Sequence, residues 1–536
     1  MENPTPGTLS SYTRFLPKKI WHAACLFFFF VIVFGPCLAL IAETAKAIVS
    51  GRHFDWLMLV IPSGRTLQLL VTSMTFALCV AIGGTIAGFL IAFFIWRSRN
   101  TTARYLAGFL ILLFPIPAYV HTLAWLSATS NLSAWVKAHG LSIPFLEGWI
   151  GAWWIQVITL LPLSVLLSLV GLYSVSPLLI DASRLVRSGI VTLTRVILPT
   201  AAPALYAGAG LLLVLSLADY SVPSLFSKNV YALEIFAEYS ASSVTAKAFL
   251  LSLPLLCVCT VAIIISQSRM RSIAEHITIR RSDYTMLEFP RWFVWLEKGA
   301  LAVLLAAVTV LLGSLILSAG SVRTLIAAVA TARREIIFSF GIAAASALLS
   351  VPLGWVLAQK LVSERKSSWV WWFIVVLPLA IPASLVGIGI IAMYNREALQ
   401  ALYTSSWMPI SAALARFSPF AALILMAQLR RVDRAQFDAA RVYEKNALHG
   451  WCKVKLPVFL PAIFSACLIV FALTLGELGA TLVVAPPGKQ TLTMRIYNFM
   501  HYGASREVAG LCLIMTLMVF VAGGIVIASA GKRGGR

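Results

Sequence analysis

Apolar runs dominate this chain, and polar residues are confined to short gaps between them. We delimit twelve such runs, at about 21–42, 67–96, 105–129, 149–173, 201–218, 249–267, 297–318, 336–358, 369–394, 408–428, 459–485 and 508–530. Each is near the roughly 20 residues that an α-helix needs to cross a bilayer. The pattern predicts an all-α membrane protein with about twelve transmembrane helices. The first run follows Arg14, Lys18 and Lys19. It is longer than the roughly 7–15 apolar residues of a signal peptide, which predicts a retained first helix.

The gaps carry the orientation. Arg97, Arg99 and Arg104 follow the second run, and Arg184, Arg187 and Arg195 follow the fourth. Arg269, Arg271, Arg280 and Arg281 follow the sixth, and Lys360, Arg365 and Lys366 the eighth. Arg430, Arg431, Arg434 and Arg441 follow the tenth, and Lys532, Arg533 and Arg536 the twelfth. The alternate gaps are poorer; the one after the third run holds only Lys137. Basic loops stay in the cytoplasm, so both termini are expected there, in a bacterial inner membrane.

The second half of the chain copies the first. Pro115 and Pro117 interrupt the third run, and Pro378 and Pro382 the ninth. A basic loop closing in Leu-Pro follows the fourth and tenth runs, and Pro199 and Pro457 lie 258 residues apart. The fifth run of each half then meets an acid, Asp219 or Glu477. These correspondences divide the chain into a first six-helix unit at 1–268 (core about 60–268) and a second at 299–536 (core about 330–530). The mixed-charge stretch 269–298 is expected to link them in the cytoplasm.

Composition agrees. Of 536 residues, 60% are hydrophobic and 12% charged, and mean hydropathy is +0.90. Soluble domains carry about 25% charged residues. The net charge of +22 sits in the loops rather than in a basic stripe with exposed aromatics, so no nucleic-acid partner is expected and membrane lipid is. The eight cysteines lie mostly inside apolar runs, and Cys257 and Cys259 would point to different faces of one helix. They make no convergent metal set, and nothing suggests a cofactor. No Ser/His/Asp constellation or carboxylate pair within one half supplies a catalytic site, so no enzyme is expected.

Two loop motifs carry the function. The second half reads FDAARVYEKNALHGWCKVKLPVFLPA, with Asp438, Ala439 and Ala440 opening it and Leu456-Pro457 closing it. The first half reads IDASRLVRSGIVTLTRVILPT, with Asp181, Ala182 and Ser183 and then Leu198-Pro199. Both resemble the EAA loop of the type I, MetI-like permeases of binding-protein-dependent ABC importers. The family pattern places a Gly where Glu444 stands and an Ile where Val454 stands. The first copy is one residue short, and its Gly189 falls two positions late.

The resemblance implies a permease subunit that spends no ATP itself. APPGKQT around Gly488 is not a Walker A loop, so ATP hydrolysis is expected on a separate ATP-binding subunit, in two copies docked on these loops. A periplasmic or surface substrate-binding protein is the other implied partner. GELGAT around Glu477 is similar to molybdate- and sulfate-type permeases and to fused ferric-iron and thiamine permeases. Ferric iron is the first substrate expectation, with thiamine, phosphonate and molybdate or sulfate as alternatives. Asp219 and Glu477, acids beside membrane spans, are candidate translocation-pathway residues. The competing function is a secondary transporter with twelve helices in two parallel halves. Ion coupling would call for ionisable residues mid-span, where the chain looks nearly free of them.

The loop motifs generate the first test. Ala440→Glu should uncouple ATP hydrolysis from uptake while the protein still inserts. Matched double substitutions at Ala439-Ala440 should cost more transport than at Ala182-Ser183. Wild-type transport by Ala440→Glu would remove the docking role, and equal losses would remove the asymmetry.

Overall fold

Glycine and serine set how closely the membrane helices approach. In the computed structural model, which describes residues 16–50, 59–98, 101–139, 146–185, 188–276, 288–363, 368–432, 453, 456–502 and 505–531, no strand occurs among those residues. The chain opens with α1 (Leu16–Val33) and α2 (Gly35–Val49), then the 34-residue α3 (Gly64–Arg97). α4 (Thr101–Leu113), α5 (Ala118–Ala138) and α6 (Gly148–Tyr173) follow. Next come a short α7 (Pro177–Arg184) and α8 (Leu198–Ala218), and then α9 (Ser221–Leu225), α10 (Tyr231–Ser242) and α11 (Thr245–His276).

After α12 (Arg291–Ala319) and α13 (Val322–Thr331) the order seen from α3 onward recurs. α14 (Arg333–Val362) stands where α3 stood. α15 (Ser368–Val376) and α16 (Ala383–Tyr394) answer α4 and α5, and α17 (Trp407–Arg431) answers α6. α18 (Leu456–Leu475), α19 (Thr481–Val484), α20 (Leu492–Tyr502) and α21 (Ser505–Gly531) answer α8 to α11. The equivalent pairs α3–α6 and α14–α17 pack in the same way. A Cβ on Gly88 would lie 2.2 Å from the Ser164 Oγ, and one on Gly354 would lie 2.9 Å from the Ala422 backbone nitrogen. The Ser164 hydroxyl donates to the Gly84 carbonyl at 2.7 Å. Between helices in lipid, small residues bring backbones together and dispersion does the rest.

Among the described residues nine helices are long and apolar enough to cross a membrane, or eleven if each of two bent pairs is one span. The sequence reading expects about twelve over the whole chain. The run at 105–129 falls on α4 and α5, which Pro115 and Pro117 separate, and the far half of α5 is polar (Ser127, Thr129, Ser130 and Ser133). The bent pairs are α1–α2, at 51°, and Trp369–Ala380 with α16, at 99°. Two boundaries also move. The eleventh apolar run reaches 485, but α18 stops at Leu475. Helices α11 and α12 enter the expected 269–298 linker from both sides, to His276 and from Arg291.

The two halves are interleaved. α2 lies between α11 and α16, and a Cβ on Gly389 would meet Pro36 at 2.8 Å. α12 reciprocates by packing on α3 and α5 of the first half as well as on α21. One buried core therefore includes Leu217 and Tyr220 beside Ala380 and Leu385.

A clasp forms where α12 enters. Arg97, at the end of α3, donates to the fully buried Glu297 of α12 at 2.6 Å and sits 5.3 Å over the Phe289 ring. Phe289 and Phe293 pack edge-on against Phe93 at 5.4 and 5.7 Å. Beside them the Glu288 carbonyl presses on Gly189, where a Cβ would come within 2.1 Å. Gly189 is therefore where the segment leading into α12 crosses the first EAA-like loop, and only hydrogen fits there.

Removing one partner of a buried ion pair leaves an uncompensated charge, at a cost of about 3–5 kcal/mol. Arg97→Ala should lower the melting temperature of the detergent-purified protein sharply. Arg97→Met combined with Glu297→Gln should recover most of the loss. Equal melting of the single and double variants would show that the pair does not hold α12.

Candidate functional site at the helix breaks

Four interruptions of the membrane helices meet at one cavity of about 250 Å³. Two come from proline. Pro lacks an N–H and its ring clashes with the preceding turn, so Pro115–Pro117 separates α4 from α5 and Pro378–Pro382 separates α15 from α16. The other two are acid-bearing turns after the fifth span of each half, at Asp219 and at Gly476-Glu477. All four line the cavity, with α6 and α17 completing it through Gln156 and Arg416.

The acids cap the chain where it turns. Asp219 Oδ1 accepts from the Ser221 N–H at 2.9 Å and from the Ser221 hydroxyl at 2.6 Å. Glu477 Oε1 accepts from the Ala480 N–H at 2.7 Å, while the hydroxyls of Thr481 and Thr493 donate to the Glu477 carbonyl at 2.7 and 3.0 Å. Backbone groups freed by a break in a low-dielectric layer need such partners.

Each acid has a second partner on the fourth span of its own half. Gln156 Nε2 donates to Asp219 Oδ2 at 2.9 Å, and its Oε1 accepts from the Ser216 hydroxyl. Arg416 pairs with Glu477 Oε2. Gln156 and Arg416 play the same part, each partnering the acid of its own half, from α6 and α17. The site is thus built twice, with a neutral donor in one half and a cation in the other. Neither residue is among the candidates read from the sequence. Gln156 gives no signal on a long apolar helix, but Arg416 gives a clear one, since a lone Arg inside a span is costly enough to need a reason.

Close approach between the halves depends on glycine. A Cβ on Gly476 would reach Pro117 Cγ of the first half at 2.6 Å, while within the second half one on Gly479 would reach Ala383 Cβ at 2.6 Å. One turn beyond Arg416, Phe420 meets Phe114 of the first half with ring centres 6.3 Å apart. The polar ring is therefore closed on that side by aromatic side chains.

The loop candidates fall elsewhere. Asp181, Ala182 and Ser183 lie on α7, with Asp181 and Ala182 exposed. The Ser183 hydroxyl lies 3.0 Å from that of Thr192 and ties α7 to the next helical segment, which runs from Gly189 to Ala218 through an exposed Pro199. The leucines of this loop, Leu178, Leu179 and Leu185, are exposed. Leu456 and Pro457 open α18 half-buried. Asp438, Ala439 and Ala440, with Glu444 and Val454, lie outside the described residues.

Residues 350–531 match the family described as the binding-protein-dependent transport system inner membrane component. The chain is 32% identical over 192 residues to a molybdate/tungstate transport system permease protein of Pyrococcus abyssi, covering 35% of this chain and 74% of that one. The chain belongs to this family of inner-membrane permeases. It is 28% identical over 148 residues to a putative 2-aminoethylphosphonate transport system permease protein of Salmonella typhimurium, covering 27% of this chain and 54% of that one. A putrescine transport system permease protein of Escherichia coli is 26% identical over 190 residues, covering 34% of this chain and 68% of that one. The permease is thus a multi-pass inner-membrane subunit of a binding-protein-dependent ABC importer, and not an enzyme. The secondary-transporter alternative is set aside.

Overpacking a tight contact costs about 1–3 kcal/mol. Gly476→Val in the permease should lower its melting temperature by several degrees and reduce uptake, because the valine displaces Pro117 from the cavity wall. Gly341→Ala, on α14 with no neighbour within 4 Å, is the control and should melt at or above wild type. Similar behaviour of the two variants would refute the close-approach role.

Proposed function

We propose that this single chain supplies both permease units of the importer, so that the cavity between them is the whole translocation path. The observation that supports this most directly is the twofold set of helix breaks, with each half contributing one proline break and one acid-bearing turn to the same cavity. On this reading the units are the first and second six-helix segments of the chain, both termini are cytoplasmic, and two copies of an ATP-binding subunit dock on the loops at Asp181–Ser183 and Asp438–Ala440. A substrate-binding protein delivers the solute from the opposite face. Asp219 and Glu477 are pathway residues that also hold the turns in shape.

The solute is small and charged. The relatives' names include an oxyanion pair, an aminophosphonate and a diamine. Ferric iron, favoured by the resemblance of GELGAT to fused ferric-iron permeases, is the first substrate to test.

The test is uptake per folded permease in proteoliposomes holding the complete importer, with ferric iron, molybdate, 2-aminoethylphosphonate and putrescine as probes. One of them should accumulate only with ATP and the binding protein. For that solute Asp219→Asn and Glu477→Gln should each lower uptake at least about tenfold at equal folded protein, since each removes a partner of a buried polar ring. Unchanged uptake in both variants would remove the acids from the path. Loss of folded protein alone would assign them a purely structural role.

A further inference from the structure

Four polar side chains form the ring around the cavity, and three carry charge: Asp219, Glu477 and Arg416. Two negative charges against one positive leave the lining a single net negative charge. Little water is available to screen it, because the remaining wall is largely apolar, with Phe114, Phe417 and Phe420 on one side. In such surroundings a unit charge is felt far more strongly than in water.

The one cation among the described lining residues is already committed. Arg416 is held by Glu477 within its own half and lies near Asp219 of the other. Gln156, the partner of Asp219, adds hydrogen bonds but no charge. Among the described residues, the lining offers an entering oxyanion no free cation and two carboxylates. Two hydroxyls on the wall are buried and have no hydrogen-bond partner among the described residues: Tyr220, whose residue is 3% exposed, and Thr159. Tyr220 is fixed by stacking on Phe236, with ring centres 5.6 Å apart and planes 11° apart. Both hydroxyls can accept from an ammonium group or turn an oxygen toward a metal cation.

We propose that the cavity is a transient site for a cationic group, an amine or a metal cation, and that the Gln156/Arg416 difference between the halves sets this charge preference. Were both positions arginine, the lining would be neutral; were both glutamine, it would carry two negative charges. Arg416 is a positioning residue for Glu477, and the missing second arginine leaves room for the positive charge of the solute. The proposal rests on the cavity being the translocation path.

The experiment reads charge preference without needing the natural solute. Thr159→Cys is introduced into a permease whose own cysteines are replaced. The protein is assembled with its ATPase in nanodiscs and cycled with ATP. The introduced thiol is then modified by methanethiosulfonates of similar size bearing a trimethylammonium, a sulfonate or no charge. The trimethylammonium reagent should react about tenfold or more faster than the sulfonate, relative to their rates with a free thiol. Gln156→Arg should bring the ratio near one, and Arg416→Gln should raise it. Each change gives one acid the kind of partner that the other acid already has, and size-exclusion profiles confirm folding. A faster sulfonate reaction, or a ratio that ignores Gln156→Arg, overturns the charge assignment while leaving the path intact. A neutral reagent that never reaches the introduced thiol during ATP cycling, while a thiol at an exposed loop reacts, overturns the path itself and this inference with it.

Discussion

A lipid-facing chain cannot leave a backbone group without a hydrogen bond, and this permease interrupts its membrane helices four times. Each interruption frees carbonyls and N–H groups that the bilayer will not solvate. The protein gathers all four into one interior cavity and satisfies the freed groups there. Asp219 and Glu477 accept from the amides two and three residues ahead, and Thr481 and Thr493 cover the Glu477 carbonyl. Those acids are then buried and need partners of their own, which is why the fourth span of each half carries Gln156 or Arg416. The polar ring follows from the broken helices, and the broken helices give a path a shape that straight ones would fill.

The halves cooperate because neither can form the cavity alone. Gly476 must approach Pro117 of the other half, and Phe420 must meet Phe114. The core is shared in the same way, since α2 and α12 each lie against the half they do not belong to. A twofold arrangement need not be chemically equal on both sides. Here the shape repeats closely while the charge does not.

Much of this is legible in the sequence, for physical reasons that also explain what is not. Hydropathy locates the helices because lipid burial writes long apolar runs. The prolines announce two breaks because Pro cannot donate, and the acids announce the other two because a charge beside a span is costly. Run limits are poorer where a helix ends inside the apolar layer: α18 stops at Leu475, although apolar residues continue to Val484. Arg416 is legible only residue by residue, as a lone charge inside a run whose average stays apolar. Gly189 reads as a misplaced motif residue. Its position answers to Glu288, about a hundred residues away, a contact that no local pattern encodes.

The interleaving of α2 has a consequence in time. Its buried face, with Pro36, Ala39 and Leu40, is completed by α16, which begins at Ala383, and Gly389 is the residue that Pro36 touches. Chains are made at about 5–20 residues per second, so about 350 residues separate the two by about twenty seconds to a minute. For that interval the second helix of the newborn chain must wait in the membrane with its inner face against lipid or an insertion factor. A chain released early, with an otherwise complete first half, would carry that open face permanently and offer quality-control proteases a ready mark of unfinished synthesis.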